Sequence, residues 1–323
     1  MSEPSWRARA PRSMLERRAT LLAAMRRFFA ARGVLEVDTP LLVNHSVSDV
    51  HVHSARVAFD GTLAHFVHTS PEYAMKRLLA SGSGDIFQIC HVVRALETSR
   101  LHNPEFTLLE WYRVGYSLAE LMAEVEALVR ETCVDLAAGV TERVTYRDAF
   151  ARVLALDPFC ASMHELKDAA GRLGLTRGAA SDDISRDDLL DFLMTAQVGP
   201  SLGRQGLAFV HGYPASQAAL ACLDPHDARA AQRFELYRSG VELANGYREL
   251  TSPLEQRARF EADNAERGRR HLPVFPIDEH LLSALAAGLP DCAGVALGFD
   301  RLLMLATGAE HIHEVIAFPT ERA

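Results

Sequence analysis

The stretch that decides the fold is RALETSRLHNPEFTLLEWYR, Arg94–Arg113. It follows DIFQICHVVR (Asp85–Arg94), an apolar run that reads as a buried strand. A polar loop comes next, and Thr107–Val114 (TLLEWYRV) reads as a second strand. Strand, polar loop, strand predicts an antiparallel hairpin with a long tip. Side chains alternate along a strand, so Leu108, Glu110 and Tyr112 share one face while Leu109 and Trp111 share the other. Polar groups on one face of an otherwise apolar strand mark that face as the lining of a pocket.

Outward from the hairpin the pattern is helical on both sides. Upstream, Ser13 with Glu16 reads as a capping box. Leu15, Ala19, Leu22, Met25 and Phe29 then recur at helical spacing, Gly33 ends the helix, and a short strand at Val34–Val37 stops at Pro40. The first 12 residues, with Pro4, Pro11 and several arginines, read as a flexible N-terminal tail. Downstream, Ser117 with Glu120 caps an amphipathic helix marked by Leu118, Leu121, Met122, Val125, Leu128 and Val129. Residues 145–200 read as mainly helical, with Ser162 and Glu165 as another box, and form a candidate insertion. Strands are expected at Leu207–Tyr213, Phe234–Arg238 and Val241–Leu250. Helices are expected from about Pro253 to Arg270 and from Asp278 to Ala287. A small-residue strand, Gly294–Gly298, runs into a last helix through Leu305. Antiparallel strands with helices outside them give an α+β fold.

Composition narrows the function classes. Of 323 residues 48% are hydrophobic, enough for a sizeable core. Lys+Arg number 34 against 42 Asp+Glu, a net charge of -8, which counts against extensive contact with phosphate backbones. Arginine-rich stretches at Trp6–Arg12 and Arg257–Arg270 are local exceptions. Five scattered cysteines with no CxxC read as reduced, mostly buried thiols. No apolar run reaches the ~18 residues of a membrane span, and no secretory signal opens the chain; the expected location is the cytoplasm. GxxxxGK[ST], GxGxxG after a strand, HExxH and zinc-type Cys/His spacings are all absent from the sequence. Phosphate handling therefore falls to arginine side chains.

Three stretches, in order, carry a family resemblance: FFAARGVLEVDTPLL (Phe28–Leu42), the Arg94–Arg113 stretch, and GVALGFDRLLML (Gly294–Leu305). They resemble motifs 1, 2 and 3 of the class II aminoacyl-tRNA synthetases. HNPEFTLLEWY (His102–Tyr112) and ELANGYREL (Glu242–Leu250) resemble the lysyl branch. The resemblance covers residues 13–323 and implies a class II catalytic domain with an antiparallel sheet flanked by helices. With motif 1 opening at Ser13, no anticodon-binding domain is expected before it. TSPEY (Thr69–Tyr73) and PASQAAL (Pro214–Leu220) make the chain similar to the stand-alone lysyl-type ligases that activate (R)-β-lysine with ATP and attach it to a lysine of elongation factor P.

The resemblance implies a role for each matching residue. Arg94 holds the α-phosphate and the substrate carboxylate, Arg100 reaches the γ-phosphate, and Arg301 packs on the adenine opposite Phe106; Arg94 and Arg301 are the catalytic pair. Ala95, Leu96, Asn103, Leu243 and Gly298 complete the ATP site. Glu242 and Glu249 are the expected Mg²⁺ ligands, with Asn245–Gly246 as a tight turn between them. Ser70, Pro71, Glu72, Glu110, Tyr112 and Glu249 form the amino-acid pocket, where carboxylates meet the substrate's ammonium groups. Motif 1, with Pro40 at its edge, implies a homodimer. Nothing in the pattern resembles an acyl-enzyme nucleophile.

Two positions depart from the lysyl-tRNA synthetase pattern. Motif 2 usually reads Arg-x-Glu; here Leu96 stands third and the carboxylate falls at Glu97, so either the loop shifts by one residue or backbone groups near Leu96 read the adenine. Motif 3 has Ala296 where lysyl-tRNA synthetases carry glycine, and the methyl group is expected to favour β- over α-lysine. Three other readings compete. A truncated lysyl-tRNA synthetase paralogue acting on tRNA is disfavoured by the acidic charge. A non-catalytic regulatory paralogue is disfavoured by the joint presence of Arg94, Arg301, Glu242 and Glu249. An ammonia-using asparagine synthetase needs a cationic pocket, which Glu72, Glu110 and Glu249 oppose.

Overall fold

The computed structural model describes residues 6–59, 63–175 and 184–323. In chain order the elements begin with α1 (Arg12–Ala30), β1 (Leu35–Glu36), β2 (Leu42–Val43), β3 (Arg56–Phe59), β4 (Leu63–Val67), α2 (Glu72–Ala80), β5 (Ile86–Val93) and β6 (Glu105–Val114). Then come α3 (Leu118–Thr132), β7 (Glu142–Thr145), α4 (Tyr146–Leu154), α5 (Met163–Arg172), α6 (Arg186–Leu193), a π-helical turn (Met194–Val198) and the single turn α7 (Gly199–Ser201). The chain closes with β8 (Ala208–Pro214), β9 (Ala230–Arg238), β10 (Val241–Arg248), α8 (Pro253–Arg269), α9 (Glu279–Gly288), β11 (Cys292–Gly298) and α10 (Phe299–Thr307). Two compact units result. One comprises the residues up to Ser117 with Glu131–Cys133 and Leu250–Ala323; the other comprises Leu118–Arg130 and Val134–Glu249.

In the first unit the strands run β1-β5-β6-β11, with β1 parallel to β5 and the other pairs antiparallel. The expected hairpin is β5–β6, paired from Ile86↔Tyr112 to Val93↔Glu105, with residues 94–104 as its tip. One face packs on α1: Phe29 stacks on Phe87 with ring centroids 4.5 Å apart and meets Trp111 edge-on at 5.3 Å. All three rings are almost wholly buried, and each contributes roughly 2–3 kcal/mol of apolar burial. On the other face, α2 and α9 close one end with Met75, Leu79, Leu281 and Leu285 against Ile86, Tyr112 and Cys292. The remainder of that face carries the polar residues. A second, small sheet, β2-β4-β3, stands beside α2 in sequence.

The start of the chain differs from expectation. Of the expected flexible tail, residues 1–5 lie outside the described residues. Within the rest, Ala10 is buried and the Arg9 N–H donates to Ala317 O at 2.7 Å, so this stretch is docked. Helix α1 begins at Arg12 after Pro11, and no side chain caps it. Ser13 lies inside the first turn, where it cannot serve as a cap, and Glu16 accepts from Arg12 Nε at 2.8 Å instead. At the other end Gly33, at φ +69°, supplies the left-handed turn that returns Val34 N–H to Phe29 O.

The second unit has strand order β10-β9-β8-β7, with β7 parallel to β8. Helices α4, α5 and α6 bury Tyr146, Phe150, Leu166, Leu189 and Leu193 together with Val210 of β8. Thr145, Ser162 and Ser185 cap these helices, the last two as full capping boxes. Residues 176–183 of the expected helical stretch lie outside the described residues. The tight turn expected at Asn245–Gly246 does not form. The turn between β9 and β10 is Ser239–Gly240, both left-handed at φ 54° and 77°, and Asn245–Gly246 sit mid-strand, paired with Glu235 and Phe234. An Asn-Gly pair favours a turn only where the flanking pattern leaves it free; here the β9 ladder and the Arg233 Nε–Asn245 Oδ1 bond hold it extended.

The five cysteines are thiols rather than disulfides: Cys133 and Cys292 are buried, Cys90 and Cys222 half-buried, and Cys160 exposed. Among the described residues no helix is long and apolar enough to cross a membrane.

Candidate active site

The hairpin tip and the head of α10 bring three arginines to one region of the first unit. Arg94 follows β5; its N–H donates to Pro104 O at 2.8 Å and its guanidinium lies 5.3 Å from the centroid of Phe106. Its Nε is buried and has no hydrogen-bond partner among the described residues. Arg301, in the first turn of α10, donates from Nη2 to His102 Nε2 at 2.6 Å and from Nε to Leu101 O at 3.3 Å. Arg100 donates to Glu310 O at 2.9 Å. Burial, then Arg301 and Arg94, lower the His102 pKa from 6.5 to about 4, so the imidazole is neutral. Because Nε2 accepts from Arg301, the proton sits on Nδ1 and is donated to Ser99 Oγ at 2.7 Å.

The motif 2 departure has a geometric outcome. Leu96 is 73% exposed at a turn in which Glu97 N–H returns to Arg94 O. Glu97 faces inward, 3.8 Å from Arg94 Nη1 and 3.9 Å from His102 Nε2. Ala95 is fixed by its backbone N–H to His53 O. Asn103, expected at ATP, is buried and braces the backbone, donating to Glu105 O at 2.6 Å and accepting from Thr320 N at 3.1 Å.

A clamp that sequence reading missed sets the position of α10. Asp300, 2% exposed, accepts from Arg18 Nη1 of α1 and, through Oδ2, from the Thr107 N–H of β6 at 2.6 Å. Arg18 Nη2 also donates to Thr107 Oγ1 at 2.6 Å. The signal was an aspartate directly before the motif 3 arginine. A Cβ added at Gly298 would lie 3.8 Å from its nearest neighbour, the Arg301 side chain, so packing alone does not demand glycine there.

The amino-acid side is built on the other half of the polar face. Ser70 Oγ donates to Glu110 Oε2 at 2.7 Å and accepts the Glu72 N–H at 3.0 Å. Tyr112 OH donates to Glu110 Oε1 at 2.7 Å. Glu72 opens α2 directly after Pro71, and its Oε1 receives Lys76 Nζ at 2.7 Å. Lys76, which the sequence reading did not single out, is 1% exposed. Ser70 and Pro71 also line a cavity of about 190 Å³. Strand register aligns Gln88, Glu110 and Ala296 in one row across β5, β6 and β11. The Ala296 methyl therefore stands beside Glu110.

In the second unit, β10 carries Glu242, half-buried, and leads into Glu249, 3% exposed. Seven residues apart, the two would face opposite sides of a regular strand. A bulge between Glu242 and Ala244 takes up one extra residue, Leu243. Glu242, Asn245 and Tyr247 consequently stand opposite Tyr237, Glu235 and Arg233, and Glu249 continues the same face. Two carboxylates on one face are hard oxygen donors that suit Mg²⁺, which takes one or two protein carboxylates and completes its shell with phosphate and water. Among the described residues no group of three or more His, Cys, Asp or Glu is placed to hold a metal.

A hairpin with an arginine-bearing tip, and a small-residue strand running into an arginine-headed helix, define the catalytic core of the class II synthetases. A sequence model of tRNA synthetases class II (D, K and N) matches residues 5–322. An elongation factor P–(R)-beta-lysine ligase of Vibrio parahaemolyticus is 51% identical over 323 residues, 98% of each chain. Proteins of the same name from Vibrio cholerae and Pectobacterium carotovorum are 49% and 50% identical over 329 residues, covering both chains fully. This chain belongs to the class II synthetase family and, within it, to the elongation factor P–(R)-β-lysine ligase family.

Proposed function

We propose that the chain is an ATP-dependent ligase that activates (R)-β-lysine as an adenylate and transfers it to a lysine side chain of elongation factor P. Identity of about half over the full length with ligases of that name carries the reading. The acidic wall of Glu72 and Glu110 supports a diamino-acid substrate.

The substrate carboxylate attacks the α-phosphorus and pyrophosphate leaves. The acceptor amine then attacks the acyl carbon, AMP leaves and the amine loses a proton. Two anions must meet in the first step, so cationic side chains have to offset their repulsion. In this reading Arg94 holds the α-phosphate and carboxylate, and Arg100 and Arg301 take the γ-phosphate. Arg301 and Phe106 enclose the adenine, a task for a planar guanidinium. Ala95, Leu96, Asn103, Leu243 and Gly298 shape the rest of the nucleotide site. Ser70, Pro71, Glu72, Glu110, Tyr112 and Glu249 receive the amino acid. Glu242 and Glu249 would hold Mg²⁺, which screens phosphate charge when bound. Residues 13–323 act as one catalytic domain with 145–200 as its helical insertion, working in the cytoplasm as a homodimer through motif 1 and without tRNA.

ATP–pyrophosphate exchange with (R)-β-lysine, α-lysine or no amino acid tests the reading. Exchange driven best by (R)-β-lysine is expected. Exchange driven by α-lysine alone would move the assignment to a tRNA synthetase paralogue, and none at all to a regulatory one.

A further inference from the structure

The Gln88–Glu110–Ala296 row contains one group without a task in the roles above. Gln88 is 1% exposed, and neither its Oε1 nor its Nε2 has a hydrogen-bond partner among the described residues. A buried carboxamide left this way is costly, and folded proteins seldom keep one without use for it. Its neighbour on the same face, Cys90, relieves the nitrogen end at most. Burial, reinforced by Glu110, pushes that thiol up to about 12, while a side-chain hydrogen bond with Gln88 works the other way, which makes the amide the donor and leaves its oxygen unused. A protonated thiol is a weak donor. Across the row Glu110 is already oriented, Oε1 by Tyr112 and Oε2 by Ser70. Glu72 is held by Lys76. The wall's carboxylates are thus fixed by protein donors, whereas the Gln88 oxygen has none among the described residues.

We infer that Gln88 is a specificity-determining residue of the amino-acid pocket, its carboxamide oxygen accepting a hydrogen bond from a primary ammonium group of the substrate beside Glu110. The inference rests on the reading of this face as the amino-acid pocket. A carboxamide suits the position for two reasons. It adds an acceptor without adding a charge to a wall already holding Glu72 and Glu110. Its other end is a donor, which repels a cation, so the amide accepts an ammonium from one side only. A fixed, one-sided acceptor discriminates between isomers whose amine differs in position by one carbon, because the misplaced isomer leaves the amide unpaired.

The test uses the full chain and Gln88→Met, close in shape but without polar atoms to satisfy. The expected result has two parts. In ATP–pyrophosphate exchange the KM for (R)-β-lysine rises tenfold or more while the KM for ATP stays within twofold. In thermal melting the ligand-free variant has a Tm equal to or above wild type, since an unsatisfied buried amide has been removed, but gains less from added (R)-β-lysine. A merely structural role for Gln88 predicts the opposite, a lower Tm with both KM values moving together, and would overturn the inference. So would an unchanged KM for (R)-β-lysine. Gln88→Glu, which keeps the acceptor, is expected to retain binding with altered preference between isomers; equal preference in that variant counts against the inference even if Gln88→Met folds poorly. If the wild type neither exchanges pyrophosphate with, nor is stabilised by, any diamino acid, the pocket reading itself fails and takes the inference with it. A responsive wild type beside an equally responsive Gln88→Met removes only the role of Gln88.

Discussion

Arg301 meets His102 head-on, Nη2 to Nε2 at 2.6 Å, and this bond exists only while the imidazole is neutral. The folded pKa of about 4 lies below the ordinary 6.5, so the unfolded chain binds the proton first as pH falls. The stabilisation is whole above pH 6.5 and is lost progressively down to about 4. His102 is about one-third exposed, so the amplitude is small. His102→Asn should show a flatter dependence of Tm on pH between 6.5 and 4 than wild type. A residual slope of the same sign should persist, because His68, His211 and His313 are also lowered, chiefly by burial. Parallel curves for the two proteins would mean that His102 is already solvated.

Lys76 and Glu72 form a pair with the ammonium 1% and the carboxylate 18% exposed. Removing a partner of a buried charge costs up to about 3–5 kcal/mol. Glu72→Ala should therefore lower unfolding free energy by about 3 kcal/mol in urea titration, and Lys76→Met combined with Glu72→Gln should recover much of it. A single-variant loss under about 1 kcal/mol would place the pair among ordinary surface bridges.

Ala296 stands directly across from Glu110 on β11. Ala296→Gly removes the methyl beside that carboxylate and gives the substrate's amine room to shift. The expected outcome is a several-fold move of kcat/KM from (R)-β-lysine towards α-lysine in pyrophosphate exchange. An unchanged ratio would show that the methyl does not set the choice.

Leu96 projects into water while Glu97 points inward. Leu96→Glu should consequently leave ATP affinity unchanged or improve it, measured by isothermal titration. A large loss would show that the leucine itself contacts the nucleotide.

What the sequence made legible was whatever obeys a fixed period or a local rule. Alternation identified the Glu110–Tyr112 face, and Ser162 with Glu165 identified a cap. The features that escaped are those decided at a distance. Ser13 has cap chemistry, but Pro11 sets the helix entry ahead of it. Asn245–Gly246 has turn chemistry, but the β9 ladder overrides it. The Arg18–Asp300–Thr107 clamp joins residues 282 and 193 positions apart, beyond any local pattern. Lys76 and Gln88 gave no signal because a buried lysine and a buried glutamine look, in sequence, like ordinary surface residues.

The extra residue at Leu243 acts as a phase shift in the strand. Residue identity alone does not determine where Glu242 points; the bulge that absorbs Leu243 does. Straightening the strand with Leu243 kept in strict alternation would turn Glu242 to the opposite side of β10, with every named carboxylate still present. A graft of this segment into another scaffold has to carry its length and its irregular hydrogen-bonding as faithfully as its glutamates.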